Sequence, residues 1–295
     1  MFEQLSILEQ LCVKLSYLPL SIQKKWRAFG YFVEHPMTEL AQQGPIIMRE
    51  LQISQHQDLF LQYWQELDEQ KLAQLTVKQN FITILSEEYP DVLKETYQPP
   101  LVLFYEGNKH LLQQRQIAIV GSRLASPYAY QVMEQLVPPL VTEDLVITSG
   151  LAKGVDSYAH QLAMIHHGNT IGVVGCGIDI CYPKEVRSIY ERMKTQQLIV
   201  SEYPATTPVR RFHFPLRNRI IAGLAEGVCV IEAKDKSGSL ITAQLAIDEG
   251  RSVFSVPGDI LNQCNTGTLK LIQDGAKCVI TASDILNELP NFRVK

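Results

Sequence analysis

The sequence predicts an α/β protein, with a doubly wound and mostly parallel sheet that follows a small all-helical N-terminal domain. Over residues 115 to about 290, short β-branched runs alternate with amphipathic stretches, which is the pattern of βαβ units whose parallel sheet is covered on both faces. Most of these runs end in Gly or Ser. Small residues and backbone N–H groups are therefore expected at the carboxyl edge of the sheet, where ligands bind in such folds.

Residues 1–78 are predicted to form the helical domain. Leucines recur every three or four residues at its start, which indicates one buried helical stripe: Leu5, Leu8, Leu11, Leu15 and Leu18. Prolines divide the segment into short helices, and the helical pattern continues from about 54 to 75. We expect a small helical bundle, and the segment shows no catalytic or ligand-binding motif.

Residues 79–114 are predicted to connect this domain to the next. Two extended segments, FITILSEEYP and PPLVLFYEGN, flank a helix-forming stretch at 91–96, and we expect them to pair onto the edge of the following sheet. Residues 115–295 are predicted to form that sheet as an extended Rossmann-like domain. Its strands are expected at seven runs: QIAIVGS, LVITSG, TIGVVGCG, LIVSEY, GVCVIEA, SVFSVPG and KCVIT.

Composition excludes several classes of protein. The chain has 295 residues and a net charge of -4, and its six cysteines form no CxxC pair, so neither a disulfide framework nor a zinc site is indicated. No signal peptide or membrane-length apolar run is visible, which predicts a cytoplasmic protein. The GxGxxG and GxSxG motifs are absent. We therefore predict a binding protein, without catalysis, metal or cofactor.

The segment from 204 to 224 carries the strongest functional signal. Guanidinium groups beside aromatic rings can pair with phosphates and stack bases, and a basic helix face above two buried phenylalanines is the alternative. Because 212–214 is expected to be non-helical, both phenylalanines would point the same way, and Phe214 is the predicted base platform. The residues concerned are Arg210, Arg211, Phe212, His213, Phe214, Arg217, Asn218 and Arg219.

Turns after the predicted strands supply further candidate anion contacts, because glycines and helix starts expose backbone N–H groups. These candidates are Gly121, Ser122, Arg123, Lys153, Gly177, Lys184, Ser237, Gly238 and Ser239. Several alternatives stay open. Asp156 and His160 are read as structural, Lys153 is equally a structural or a site residue, and Ser239 could be a helix N-cap. Of Arg217 and Arg219, one should face the ligand and the other a partner such as Glu202 or Glu232.

In their order along the chain, these motifs resemble the DNA-processing protein A (DprA/Smf) family. They are GSR at 121, SGLAKGVD at 149, GCGID with YP at 175–183, SEYP at 201, FHFPLRNRIIAGL at 212 and SGSLITAQLA at 237. The resemblance covers about 115 to 280, and the helical N-terminus is similar to the sterile-alpha-motif-like domain of many members. The C-terminal winged helix of longer members is expected to be absent.

The resemblance implies a homodimeric protein of natural transformation that binds single-stranded DNA, protects it and loads the RecA recombinase on it without catalysing a reaction. By matching positions it implies DNA contacts for Arg123, Lys184, Arg211 and Phe214. The alternative is an enzyme that hydrolyses nucleotide monophosphates, as cytokinin-activating phosphoribohydrolases do on a related scaffold. The PGGxGTxxE signature of that family is absent.

Overall fold

The computed structural model describes residues 2–36, 39–53 and 57–289. Its first part is helical, as the sequence predicts. The helix α1 begins after Ser6, whose hydroxyl oxygen accepts from the Glu9 backbone N–H while the Glu9 carboxylate accepts from the Ser6 N–H, so that two otherwise unpaired donors are satisfied. The helices are α1 (Ile7–Tyr17), α2 (Ile22–Glu34), α3 (Gln43–Glu50), α4 (Gln57–Glu66) and α5 (Glu69–Thr76). Residues 54–56, where the last helical pattern was predicted to begin, lie outside the described residues.

One mostly parallel sheet follows, and all seven predicted runs form strands. The strands are β1 (Asn80–Thr83), β2 (Val102–Gly107), β3 (Gln116–Val120), β4 (Val146–Ser149), β5 (Thr170–Val174), β6 (Leu198–Ser201), β7 (Gly227–Val230), β8 (Ser252–Ser255) and β9 (Lys277–Cys278). Their order in the sheet is β1-β2-β6-β5-β4-β3-β7-β8-β9. Strands β1 and β2 are the predicted extension, and β2 pairs antiparallel with β6 at the edge. The boundaries at 78 and 114 stay a prediction.

Helices cover both faces of the sheet, because alternate strand residues point to opposite sides. Ile117 and Ile119 of β3 pack with α7, α8 and α13, whereas Ala118 and Val120 belong to the core on the other face, to which α10 and α11 contribute. This arrangement confirms the doubly wound fold. The helices are α6 (Asp91–Lys94), α7 (Pro127–Thr142), α8 (Val155–Ile165), α9 (Arg187–Gln196), α10 (His213–Leu224), α11 (Gly238–Asp248), α12 (Thr266–Gln273) and α13 (Ala282–Leu286).

The N-terminal helices pack directly on the sheet. Leu11, Leu15 and Leu18 of the predicted stripe are buried in the same core as β2. The Trp26 indole N–H donates to the Pro99 carbonyl at 2.9 Å, which ties α2 to the connecting extension. The two parts therefore share one apolar core. Within the described residues, no helix combines the length and the apolar character that crossing a bilayer requires.

Candidate nucleic-acid interface

A cavity of about 550 Å³ opens at the carboxyl edge of the sheet. Two loops form most of its wall: residues 150–153, which join β4 to α8, and residues 182–185, which follow β5. Three side chains complete it: Arg123 from the turn after β3, and Phe214 and Arg217 from α10. Because these residues come from four separate crossovers, only the folded sheet brings them together. Of the predicted site residues, five lie in this wall: Arg123, Lys153, Lys184, Phe214 and Arg217.

Arg123 is positioned by the turn after β3. The Ser122 backbone N–H donates to the Glu232 carbonyl at 2.8 Å, and the Ser122 carbonyl accepts from Val155 at 3.1 Å. A Cβ at Gly121 would lie only 2.7 Å from a Val155 methyl group, so glycine allows this close packing. Gly121 and Ser122 thus hold the turn against α8. Arg123 itself projects to the cavity, with its guanidinium carbon 5.8 Å from the centre of the Phe214 ring.

The anion seat that the sequence predicts at the start of α7 is filled by a carboxylate of the protein. Ser126 is the N-cap of this helix, and its backbone N–H donates to Glu232 Oε1 at 3.3 Å while its hydroxyl donates to Oε2. Glu232 follows β7, on the far side of the point where the strand order reverses. A phosphate bound at this switch point would be repelled by the negative charge of the Glu232 carboxylate. The cavity is displaced from that point toward β4 and β5.

Lys153 lies at the mouth of the cavity and forms an ion pair with Glu185 from the opposite loop. Both side chains are about half exposed, so solvent screens the pair and its contribution to stability is small. The hydrogen bond from Lys153 is the main reason why the pKa of Glu185 is lowered. Lys153 thus lines the cavity while paired with Glu185, and a bound phosphate would compete with the Glu185 carboxylate.

Arg217 forms the floor of the cavity and is almost fully buried. Its Nη1 donates to the Val173 carbonyl, and burial lowers its pKa while the charge of Asp156 opposes that shift. A Cβ at Gly150 would lie 2.1 Å from Nη1. Glycine is therefore required there for the guanidinium to reach its position.

Arg219 faces away from the cavity, as the sequence predicts for one of the two arginines. Its Nη2 lies 2.5 Å from Glu202 Oε1, and its Nη1 donates to the Gln98 carbonyl at 2.9 Å. The partner is Glu202, whereas Glu232 is engaged at α7. Arg219 thus joins α10 to the end of β6 and to the connecting extension.

Asp156 and His160 support the cavity from below, in agreement with their structural interpretation. Asp156 Oδ2 accepts from the Gly150 backbone N–H at 3.2 Å, and burial raises the pKa of this carboxyl. His160 is fully buried, with Nδ1 2.6 Å from Thr170 Oγ1, and burial lowers its pKa to about 3. His160 is therefore neutral at neutral pH and fixes α8 to β5.

The two phenylalanines of the basic segment point to different places, which corrects one prediction. The segment is helical from His213 onward, with Phe212 as the N-cap residue and Phe214 in the first turn. Residues two apart on a helix lie on different faces. The Phe214 ring enters the cavity and lies 5.7 Å from the Tyr182 ring, whereas Phe212 lines a neighbouring groove. Pro215 in the first turn was the signal for this helix start.

Tyr182 is a cavity residue that the sequence reasoning missed. It directly precedes Pro183 and Lys184, and of these three residues only Lys184 was predicted to contact DNA. Lys184 begins a short 3-10 turn, Lys184–Val186, and α9 then starts at Arg187. Tyr182 and Phe214 together form an aromatic wall beside Arg123 and Lys184.

The remaining predicted contacts lie outside the cavity wall. A Cβ at Gly177 would lie 2.0 Å from the Ala205 carbonyl oxygen, so its glycine serves packing of the loop before α10 rather than a ligand. Asn218 Nδ2 donates to the Gly238 carbonyl at 3.3 Å. Ser237 is the N-cap residue of α11; the prediction that Ser239 could fill this role is wrong, because Ser239 lies inside the first turn. Arg211 is exposed three residues before Phe214.

Arg123 and Lys184 are exposed, and in the described part of the chain neither has a carboxylate within 4.0 Å. Within the same residues, no cluster of His, Cys, Asp and Glu is arranged to hold a metal ion. The cavity wall instead combines four cations with one carboxylate and two aromatic rings. Such a wall can hold phosphate groups and planar bases.

The fold and the cavity define a class: a Rossmann-like protein with a basic, aromatic cavity at the carboxyl edge of its sheet. The sequence model of the DNA recombination-mediator protein A family matches residues 80–290, and the chain belongs to this family. It is 44% identical to the DNA processing protein DprA of Streptococcus pneumoniae over 231 residues, 78% of this chain and 81% of that protein. The Bacillus subtilis DprA is 44% identical over 217 residues, 73% of each chain.

Solved structures agree with this assignment. The X-ray structure of DNA processing protein A from S. pneumoniae superposes with a TM-score of 0.86 at 38% identity, covering 97% of this chain and 99% of that one. A structure of DNA processing protein A from Helicobacter pylori, described for its single-stranded DNA binding mode, gives a TM-score of 0.63 at 29% identity over 71% of this chain and 94% of that one. The family resemblance and the Rossmann-like fold are thereby confirmed.

Proposed function

We propose that this protein binds single-stranded DNA in the cavity and acts in natural transformation in the cytoplasm, where it protects incoming strands and loads RecA on them without catalysing a reaction. The convergence of Arg123, Lys184 and Phe214 on one cavity carries the proposal. Cations without carboxylate partners suit the phosphates of the strand, and the Phe214 and Tyr182 rings suit its unpaired bases. The H. pylori relative, described for binding such DNA, supports this ligand.

Chemistry in the cavity also supports binding over hydrolysis. In the cavity wall, whose residues are all described, Glu185 is the one carboxylate, and it is paired with Lys153. A phosphoribohydrolase would need a carboxylate that is free to act on the sugar. Loading of RecA rests on the family description as a recombination mediator, and RecA filament growth on DNA coated with single-strand-binding protein is its test.

Affinity for DNA is expected to depend steeply on salt. Binding of a fluorescent oligothymidine, followed by anisotropy, should weaken with a slope of log K against log salt of about -2, because each of about three phosphate contacts contributes about -0.7 for single strands. Double-stranded DNA of the same sequence should bind more weakly, since its stacked bases cannot reach Phe214. Affinity that is independent of salt, or no binding at micromolar protein, would contradict the proposal.

The protein is proposed to act as a homodimer that forms through an apolar patch beside β8 and β9. Ile260, Leu261 and Ile280 are each more than three quarters exposed, and exposed apolar patches mark interaction surfaces. Strands β8 and β9 pair, so the loops that carry these residues are neighbours. Leu269 and Ile272, two other apolar residues of the last two units, are half-buried and are not part of this patch.

Replacing Leu261 with aspartate is expected to convert the dimer into a monomer, because the interface would have to bury a charge. Analytical ultracentrifugation should show a dimer dissociation constant raised at least about tenfold. The matched control is Val77→Asp, which places the same charge at an exposed valine of the helical domain and should leave the dimer intact. A Leu261→Asp protein that stays dimeric would exclude this patch.

A further inference from the structure

We propose that a groove of about 590 Å³ beside the cavity is a second binding site for single-stranded DNA, which takes nucleotides that continue the strand held in the cavity. The inference rests on the proposed function and extends it to the helical domain. The groove runs between the α1–α2 connection, residues 16–25, and the loop that leads from β6 into α10, residues 202–216. We call it the interdomain groove.

An exposed aromatic side chain lies in this groove beside an arginine. Phe212 is 57% exposed, and the Arg210 guanidinium carbon lies 6.0 Å from the centre of its ring. In the described part of the chain, Arg210 has no carboxylate within 4.0 Å. A phenylalanine so exposed contributes little to the core, whereas a ring next to a guanidinium offers a stacking surface and a phosphate contact side by side.

The ring of Phe212 is held in place by its neighbours. It meets the His213 ring edge-on at 4.6 Å, and His213 stacks on Tyr203 at 4.0 Å with an angle of 17° between the planes. His213 Nδ1 lies 3.0 Å from the Gly175 carbonyl oxygen, which anchors this stack to the end of β5. The stacking surface is therefore preorganised, which lowers the entropy cost of binding a base.

The helical domain contributes a cation to the same groove. Lys25 of α2 lines it and is half-buried. Its Nζ donates to the Ser16 carbonyl at 3.4 Å, and burial lowers its pKa while the charge of Glu202 opposes that shift. Glu202, the carboxylate in the groove wall, is paired with Arg219 at 2.5 Å, which offsets its charge. The two domains thus place Lys25 and Arg210 on one groove with a positive balance, as a DNA backbone requires.

The interdomain groove adjoins the cavity. Phe212 and Phe214 lie on either side of His213, one in each site. A Cβ at Gly175 would contact both sides, 3.3 Å from the Phe214 ring and 3.5 Å from the His213 carbonyl. The exposed Arg211 precedes Phe212 at this boundary. We expect a strand that leaves the cavity to pass Arg211 and enter the groove.

Affinity as a function of oligonucleotide length tests the proposal. Oligothymidines of about four and about twelve nucleotides, within the site sizes of single-strand binders, would be titrated against the full chain by anisotropy. The Phe212→Ala/Lys25→Gln protein should bind the short oligomer like the wild type and the long one about tenfold more weakly, because it loses one stacking surface and one cation. Its control is Tyr97→Ala/Lys71→Gln, which removes an exposed ring and an exposed lysine elsewhere and should change neither affinity.

Each outcome separates this inference from the function on which it rests. Equal affinities of the variant and the wild type for the long oligomer would contradict the second binding site in the interdomain groove. They would leave the proposed DNA binding in the cavity unaffected. An equal loss for both lengths would also overturn it, since the two residues would then act on the cavity. Failure of the wild type to bind either length would overturn the proposed function itself. Equal melting temperatures of the variants ensure that the comparison is between folded proteins.

Discussion

Replacing Arg123 and Lys184 together with alanine is expected to lower the affinity for a single-stranded oligothymidine about 100-fold, since each charged contact contributes about 1.4 kcal/mol or more. Both side chains line the cavity, are exposed and lack a carboxylate partner within 4.0 Å among the described residues. Their charge is therefore available to the strand. The salt slope should become shallower by about 1.4, twice the contribution of one phosphate contact. Anisotropy titrations at several salt concentrations measure both quantities.

The control for this variant removes the same two charges elsewhere. Arg192 on α9 and Lys71 on α5 are exposed, and neither lines the cavity. The Arg192→Ala/Lys71→Ala protein should bind within about twofold of the wild type, because charges on other surfaces are screened within about 8–10 Å. An equal loss of affinity in both variants would mean that net charge, and not the cavity, determines binding.

Replacing Arg219 with alanine is expected to lower the free energy of unfolding by about 3 kcal/mol, the lower end of what breaking a buried ion pair costs. The side chains of Arg219 and Glu202 are only 14% and 12% exposed and lie 2.5 Å apart. The variant would leave the Glu202 carboxylate without its cation and would also break the hydrogen bond to Gln98. Because these contacts join α10, β6 and the connecting extension, the loss should appear as a lower midpoint of urea unfolding.

Arg192→Ala serves as the control for stability as well. The Arg192 side chain is exposed and contacts Gln196 at 3.0 Å on the same helix, so its loss should change the free energy of unfolding by no more than about 0.5 kcal/mol. If Arg219→Ala were as stable as this control, the ion pair would not hold the interface between the extension and the sheet.

Periodicity in the sequence was enough to predict the sheet. The seven β-branched runs became β3 to β9, and the two extended segments before them became β1 and β2, because buried parallel strands need continuous apolar runs and short crossovers. The cations in the loops that follow β3 and β5 were also predictable, since the carboxyl ends of parallel strands share one edge. Arg123 and Lys184 meet in the cavity for this reason.

The features that sequence reasoning missed depend on contacts between distant residues. Glu232 fills the anion seat at Ser126, 106 positions away, and local spacing does not show which carboxylate will cap a helix. Lys153 and Glu185 meet only because β4 and β5 are neighbours in the sheet. The helix start at His213 was overlooked because Phe212 supplies no side-chain cap, so the direction of each phenylalanine could not be assigned.

The central claim is that the cavity wall holds unpaired DNA, and a crystal structure with bound oligothymidine tests it most directly. We expect a thymine base against the Phe214 and Tyr182 rings, with neighbouring phosphates within hydrogen-bond distance of Arg123 and Lys184. A strand bound on another face of the molecule, with the cavity empty, would contradict the account.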